Sequence, residues 1–195
     1  MARFSNKAVF GGALLVGILF AIGSATYSKL TVANAAETVR VASAVKQLTS
    51  AISVSEQLTP DQLKGVNHSG FTTVIDLRPD GEVAGQPDAA AMEAEAKANG
   101  LAFVYVPVPH GDIPDSAVEA LGKALDAHRG PVLMYCRSGK RAARTWSLVE
   151  ASRSGGMQAN EILEAVKASG QSADDLRPAI EARIAKRGSK QVVAK

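Results

Sequence analysis

From residue 50 onward the chain alternates short apolar runs with longer stretches of helical periodicity. Ser50–Val54 reads as a first strand. Thr59-Pro60-Asp61-Gln62 then opens a helix, with a capping Thr, a Pro in the first turn and a Gln three residues on, and Gly70 closes it. Thr72–Leu77 is the next strand, followed by the turn composition of Arg78-Pro-Asp-Gly-Glu82. An alanine-rich helix over Ala89–Asn99 stops at Gly100, and Leu101–Val106 is a third buried strand. A helix runs from Pro114 to about His128, and Pro131–Tyr135 is a fourth apolar strand. A helix over Ala142–Arg153 is broken by Gly155-Gly156, and two amphipathic stretches follow, Asn160–Ser169 and Asp174–Lys186. Their Ile162, Leu163, Val166, Leu176, Ile180 and Ile184 recur at helical spacing and read as packing residues. Strands alternating with helices predict an α/β fold, with a central, largely parallel sheet, helices on both faces and a helical C-terminal segment. Ligands of such sheets bind at the carboxyl ends of the strands.

The first 35 residues carry a different pattern. Arg3 and Lys7 precede an apolar run from Ala8 to about Tyr27, and Ala33-Asn34-Ala35 supplies small residues suited to a signal peptidase. Residues 1–35 are expected to be a signal peptide, or an N-terminal membrane anchor because the run is longer than a usual signal core of roughly 7–15 residues. Either places the remainder outside the cytoplasm, periplasmic or anchored facing the periplasm, with membrane contact only through this segment. Residues 36–186 then form one catalytic domain, and 187–195 a basic, flexible tail.

Charge changes the picture little. The formal net charge is +3, and Arg3, Lys7 and Lys29 are the charged residues of the first 35, so the remaining chain is near neutral. With few aromatic side chains as well, nucleic acid is not an expected partner. His68, His110 and His128 show no ligand spacing, and there is a single Cys, so neither a metal nor another cofactor is implied.

That Cys is the candidate chemistry. Cys136 falls where an apolar strand ends and a helix begins, in Tyr135-Cys-Arg-Ser-Gly-Lys-Arg141. Ser138 and Gly139 permit a tight turn, and the following helix points free N–H groups back at the sulfur. Those donors, the helix dipole, Arg137 and Arg141 favour a thiolate and would bind an oxyanion, giving an anion site of Arg137, Ser138, Gly139, Lys140 and Arg141. A cysteine serving only as core packing is disfavoured by the charge crowding this loop.

Two segments, Ile52–Pro60 leading into Val74-Ile-Asp-Leu-Arg-Pro-Asp-Gly-Glu82 and the Cys136–Arg141 loop, together resemble the phosphatase-like domain of beta-lactamase hydrolase-like proteins, a family also labelled as sulfur transferases. The resemblance spans about Ile52 to Ile184 and implies a tyrosine-phosphatase-like sheet with Cys136 as nucleophile and Arg141 as oxyanion clamp. Two departures stand out. Tyrosine phosphatases place five residues between the Cys and Arg, whereas Arg137, Ser138, Gly139 and Lys140 alone intervene here, as in the rhodanese loop. Ala142 also occupies the position where phosphatases tend to carry a hydroxyl.

Both departures lead to the expectation of a sulfurtransferase. Cys136 would take sulfur from thiosulfate or a persulfide, forming a persulfide, and pass it to a thiol acceptor. The alternative is a phosphatase acting on small monoesters or phosphoproteins through a Cys136 thiophosphate. Asp112, in Val108-Pro-His-Gly-Asp-Ile-Pro114, would be its general acid, with His110 close enough to substitute. Asp112 as a mere cap for the helix near Pro114 is the more ordinary use of Asp at such a site, and Asp76 with Arg78 reads as an ion-paired turn. A third alternative is a non-catalytic module binding an anion or a partner.

Overall fold

A computed structural model describes residues 44–193. The N-terminal export or anchor segment lies outside them. None of the described helices is long and apolar enough to cross a membrane. The elements are β1 (Lys46–Gln47), β2 (Ile52–Ser55), α1 (Gln62–His68), β3 (Thr73–Asp76), α2 (Ala89–Ala98), β4 (Ala102–Tyr105), α3 (Asp115–Ala127), β5 (Val132–Tyr135), α4 (Lys140–Ser152), α5 (Ala159–Ala168), a 3-10 turn (Asp174–Leu176) and α6 (Arg177–Val193).

The sheet order is β1-β2-β5-β3-β4, with β1 antiparallel to β2 and every other pairing parallel. β5 therefore occupies the centre, pairing Tyr135 with Ser55 on one side and with Asp76 on the other. Side chains alternate across the sheet with the two-residue period of extended backbone. Leu133, Tyr135 and Val74 pack under α1 and α2 with Leu63, Val66, Met92 and Ala96. Val132, Met134, Cys136 and Ile75 face the opposite layer, where Val118, Leu121, Trp146, Ile162 and Ile180 come from α3 to α6. The alternation directs the cysteine toward the α4 layer. Gly130, just before β5, is required by close approach, since a Cβ there would lie 2.0 Å from Thr72 Oγ1.

Local signals account for the helices. Asp88 Oδ1 accepts from the Ala91 amide at 2.7 Å to start α2, and Glu161 Oε2 accepts from the Gln158 amide at 2.7 Å to start α5. Three differences from expectation concern ends. The N-cap of α1 is Asp61 rather than Thr59, and no side chain caps it. α4 begins at Lys140 rather than Ala142, because the left-handed turn at Gly139 is already complete there. The expected flexible tail from Arg187 is instead helix as far as Val193. Arg187 explains how that segment is held. Its guanidinium donates to the carbonyls of Glu150, Arg153, Gly156 and Met157 at 2.7–3.1 Å, satisfying acceptors at and beyond the C-terminus of α4. These contacts are polar and leave no apolar periodicity in the sequence.

Candidate active site

Cys136 sits at the carboxyl end of the central strand, 1% exposed and in contact with the core, and it lines a cleft of about 560 Å³. Packing and site thus coincide in one residue. The chain leaves β5 through the exposed Arg137 and Ser138, and Gly139 turns it with φ 81° and ψ −23° into α4. An L side chain at Gly139 would be strained and would meet Gln171 Nε2 at 3.2 Å and the Ser55 carbonyl at 3.3 Å. The loop is pinned from behind: Gln171 Nε2 donates to the Ser138 carbonyl at 3.0 Å, and the Gln57 amide to the Arg137 carbonyl at 3.4 Å. With the carbonyls so engaged, the amides of Arg137 through Arg141 have no acceptor among the described residues. A run of unpartnered N–H groups at a helix N-terminus can serve as an anion cradle.

Arg141 lies in the first turn of α4, 10% exposed, and is held by three contacts. Nη1 donates to the Val108 carbonyl at 2.8 Å and the Leu77 carbonyl at 3.4 Å, and Nη2 to Glu82 Oε1 at 2.7 Å. Its Nε–H and a second Nη2–H have no protein acceptor among the described residues and are available to an oxyanion. Glu82 bridges two guanidinium groups, because its Oε2 also accepts from Arg78 Nε at 2.9 Å. Burial pushes the Glu82 carboxyl up, but the hydrogen bonds from Arg78 and Arg141 outweigh it and hold the group below its ordinary range. Arg78 is braced in turn by Gln57 Oε1 at 2.9 Å.

The expected Asp76–Arg78 ion pair is replaced by a different arrangement. Asp76 Oδ1 accepts from the Arg78 backbone amide at 2.8 Å, while the Arg78 guanidinium serves Glu82 and Gln57. Asp76 is 1% exposed, and burial pushes its carboxyl up to about 6. Beside it, burial first and the Asp76 charge second raise the Tyr135 phenol far above its ordinary value. Although that hydroxyl lies near Asp76 and Gln57, it has no partner of hydrogen-bond geometry.

The opposite wall of the cleft is the loop from Pro109 to Ile113. Asp112 is exposed there and makes no hydrogen bond or ion pair among the described residues. It does not cap α3: the N-cap position belongs to Pro114, and no side chain bonds to that helix end. The cleft therefore gathers Cys136, Arg137, Ser138, Lys140, Arg141 and Asp112, with His110 beside them. Gly139 is not in its lining and faces Ser55 and Gln171 on the far side of the loop. At the rim Arg144 forms a bidentate pair with Asp175, at 2.5 and 2.7 Å, tying α4 to the 3-10 turn. A larger cleft of about 630 Å³ between α3, α4 and α6 contains Asp115, Lys123, Arg153 and Arg183 but no nucleophile poised against an anion cradle.

Sequence reasoning missed Glu82, Gln57 and Gln171 as supports. The Arg78–Glu82 segment carried a recognisable motif, but nothing in it tells that Glu82 reaches Arg141 across 59 residues of chain.

Comparison with known proteins agrees with this geometry. Solved structures include a candidate phosphatase from Neisseria meningitidis, 30% identical with a TM-score of 0.63, the match covering 72% of this chain and 98% of that one. Tk-PTP in its active form shares the fold at 15% identity and a TM-score of 0.59, over 74% of this chain and 97% of its own. A beta-lactamase hydrolase-like protein of Xylella fastidiosa is 35% identical over 99 residues, 51% of this chain. The match spans only 23% of that relative's length. The family model for the beta-lactamase hydrolase-like protein, phosphatase-like domain, matches residues 44–153, from β1 through the cysteine loop and α4. The chain belongs to that family and carries its cysteine-based, phosphatase-like α/β fold.

Proposed function

We propose that the protein hydrolyses phosphate monoesters through a covalent Cys136 intermediate. The observation that carries this reading is that the amides from Arg137 to Arg141, in the loop directly after Cys136 at the end of the central strand, have no acceptor among the described residues. Three equatorial oxygens of a phosphoryl group suit that cradle together with the free N–H groups of Arg141. Cys136 Sγ, as thiolate, attacks phosphorus; the phosphorus–oxygen bond breaks, and the leaving alkoxide takes a proton from Asp112 across the cleft. Water, surrendering a proton to Asp112, then attacks the thiophosphate and releases inorganic phosphate and the free thiolate. The lack of any capping bond to Asp112 supports its use as the acid.

Sulfur transfer gives way to this reading, because the family description and the Neisseria relative are phosphatase-like. It retains two observations in its favour, the loop with four residues between Cys136 and Arg141, and Ala142 where phosphatases tend to carry a hydroxyl. One experiment separates the two. Intact-protein mass spectrometry after a monoester is expected to find a phosphoryl group on wild-type protein, none on Cys136→Ser, and accumulation in Asp112→Asn. A stable sulfur adduct from thiosulfate with no phosphoryl adduct from any monoester would reverse the choice. Turnover persisting in Cys136→Ser would refute both.

A further inference from the structure

The rim of the cleft carries more positive charge than one phosphoryl group can use. Four cationic side chains line it, Arg137, Lys140, Arg141 and Arg144, against the carboxylates Asp112 and Asp175. Two of the four are committed, Arg141 to Glu82 and Arg144 to Asp175. Arg137 and Lys140 are exposed and make no hydrogen bond or ion pair among the described residues, although Lys140 acts on Asp175 at longer range. They bracket the loop three positions apart, and both line the same cleft as Cys136. The remaining lining is equally informative. Pro109 and Ile113 are its bulky apolar members, and it contains no Phe, Tyr or Trp, the small imidazole of His110 being its one aromatic ring. A cleft of about 560 Å³ is of a size for a small ligand.

We propose that the substrate is a small, non-aromatic phosphate ester bearing a second anionic group, which Arg137 and Lys140 hold at the rim while the loop amides and Arg141 hold the scissile phosphate. The inference rests on the hydrolytic reading above and adds the substrate class to it. The second anion contributes binding rather than chemistry, so its effect belongs in KM. Two solvent-exposed ion pairs are together good for roughly 2- to 30-fold, and about tenfold is the working expectation.

The test compares phosphate release by the full chain from butanediol monophosphate, butanediol bisphosphate and phenyl phosphate. Wild-type kcat/KM is expected to be about tenfold higher for the bisphosphate than for the monophosphate, beyond the statistical factor of two and carried by KM. That preference should weaken with added salt and shrink several-fold in the Arg137→Gln/Lys140→Gln double variant. Equal values for the two butanediol esters after the statistical correction, a preference untouched by the double variant, or phenyl phosphate as the best of the three would overturn the proposal while leaving hydrolysis intact. Release from none of the three would instead refute the hydrolytic reading itself, and the proposal with it.

Discussion

Glu82 is the support on which the position of Arg141 depends, and Glu82→Gln isolates its charge at nearly constant shape. The carboxylate is 19% exposed, and its partners Arg78 and Arg141 are 5% and 10% exposed, so solvent screens these pairs only in part. At an effective dielectric constant of about 20, each contact is worth roughly 4 kcal/mol of Coulomb attraction. Desolvation of all three groups offsets much of that, and the amide retains one acceptor oxygen, so the expected loss of stability is about 2–3 kcal/mol. For a domain of this size the melting temperature should fall by about 4–12 °C. A pH signature accompanies it. Because the folded-state pKa lies below the ordinary 4.5, Glu82 stabilises the native state above about pH 4.5, and that contribution disappears as pH falls through the lower folded value. The variant should lack this portion of the acid-induced loss. With Arg141 unanchored, phosphate release should drop by about 10- to 100-fold, since small displacements of a clamp cost that much. Chemical denaturation across pH, calorimetric titration with inorganic phosphate and steady-state phosphate release measure the three effects. A Glu82→Gln protein with wild-type melting and unchanged phosphate affinity would show that Arg141 is held by the carbonyls of Val108 and Leu77 alone, and the bridging argument would be wrong.

Asp76 should behave in the opposite sense. Its carboxyl is raised from 3.8 to about 6 by burial, so the contribution of Asp76 to stability is fullest below pH 3.8 and declines as pH rises through 6, by about 3 kcal/mol in all. Asp76→Asn keeps an acceptor for the Arg78 amide and is expected to be more stable than wild type by about 1–3 kcal/mol at pH 7.5, with the difference vanishing below pH 4 in denaturant titrations; a variant less stable at neutral pH would refute the assignment. Arg187→Ala removes donors to four carbonyls at the end of α4 and should cost about 2–3 kcal/mol, read as a lowered denaturation midpoint. An unchanged midpoint would mean that the last turns of α6 are not coupled to α4.

The parts of this molecule that follow a local rule were legible in its sequence. The four parallel strands and their intervening helices repeat apolar positions at a period of two or 3.6, and Gly139 marks the turn that follows Cys136. β1 was not legible, since its two residues are exposed and carry no alternation. Gln57, Glu82, Gln171 and Arg187 were not legible either. Each acts through polar contacts to residues distant in the chain, and a single polar side chain pointing inward has no period to reveal it. Asp76 and Arg78 illustrate the same limit at short range. Adjacent opposite charges suggested a pair, whereas the buried backbone amide of Arg78 claimed the carboxylate and left the guanidinium for Glu82.

The position of β5 between β2 and β3 governs how the molecule can assemble. The two flanking strands precede it by many residues and cannot pair with each other in the finished sheet. A chain synthesised only as far as α3 would present both of their inner edges unpaired, an aggregation-prone template rather than a partial domain. The strand that delivers the nucleophile is thus also the wedge that closes the sheet, and folding through such distant pairings is intrinsically slow. Cleft and fold are completed in one event, so no native-like sheet should precede the appearance of the anion cradle.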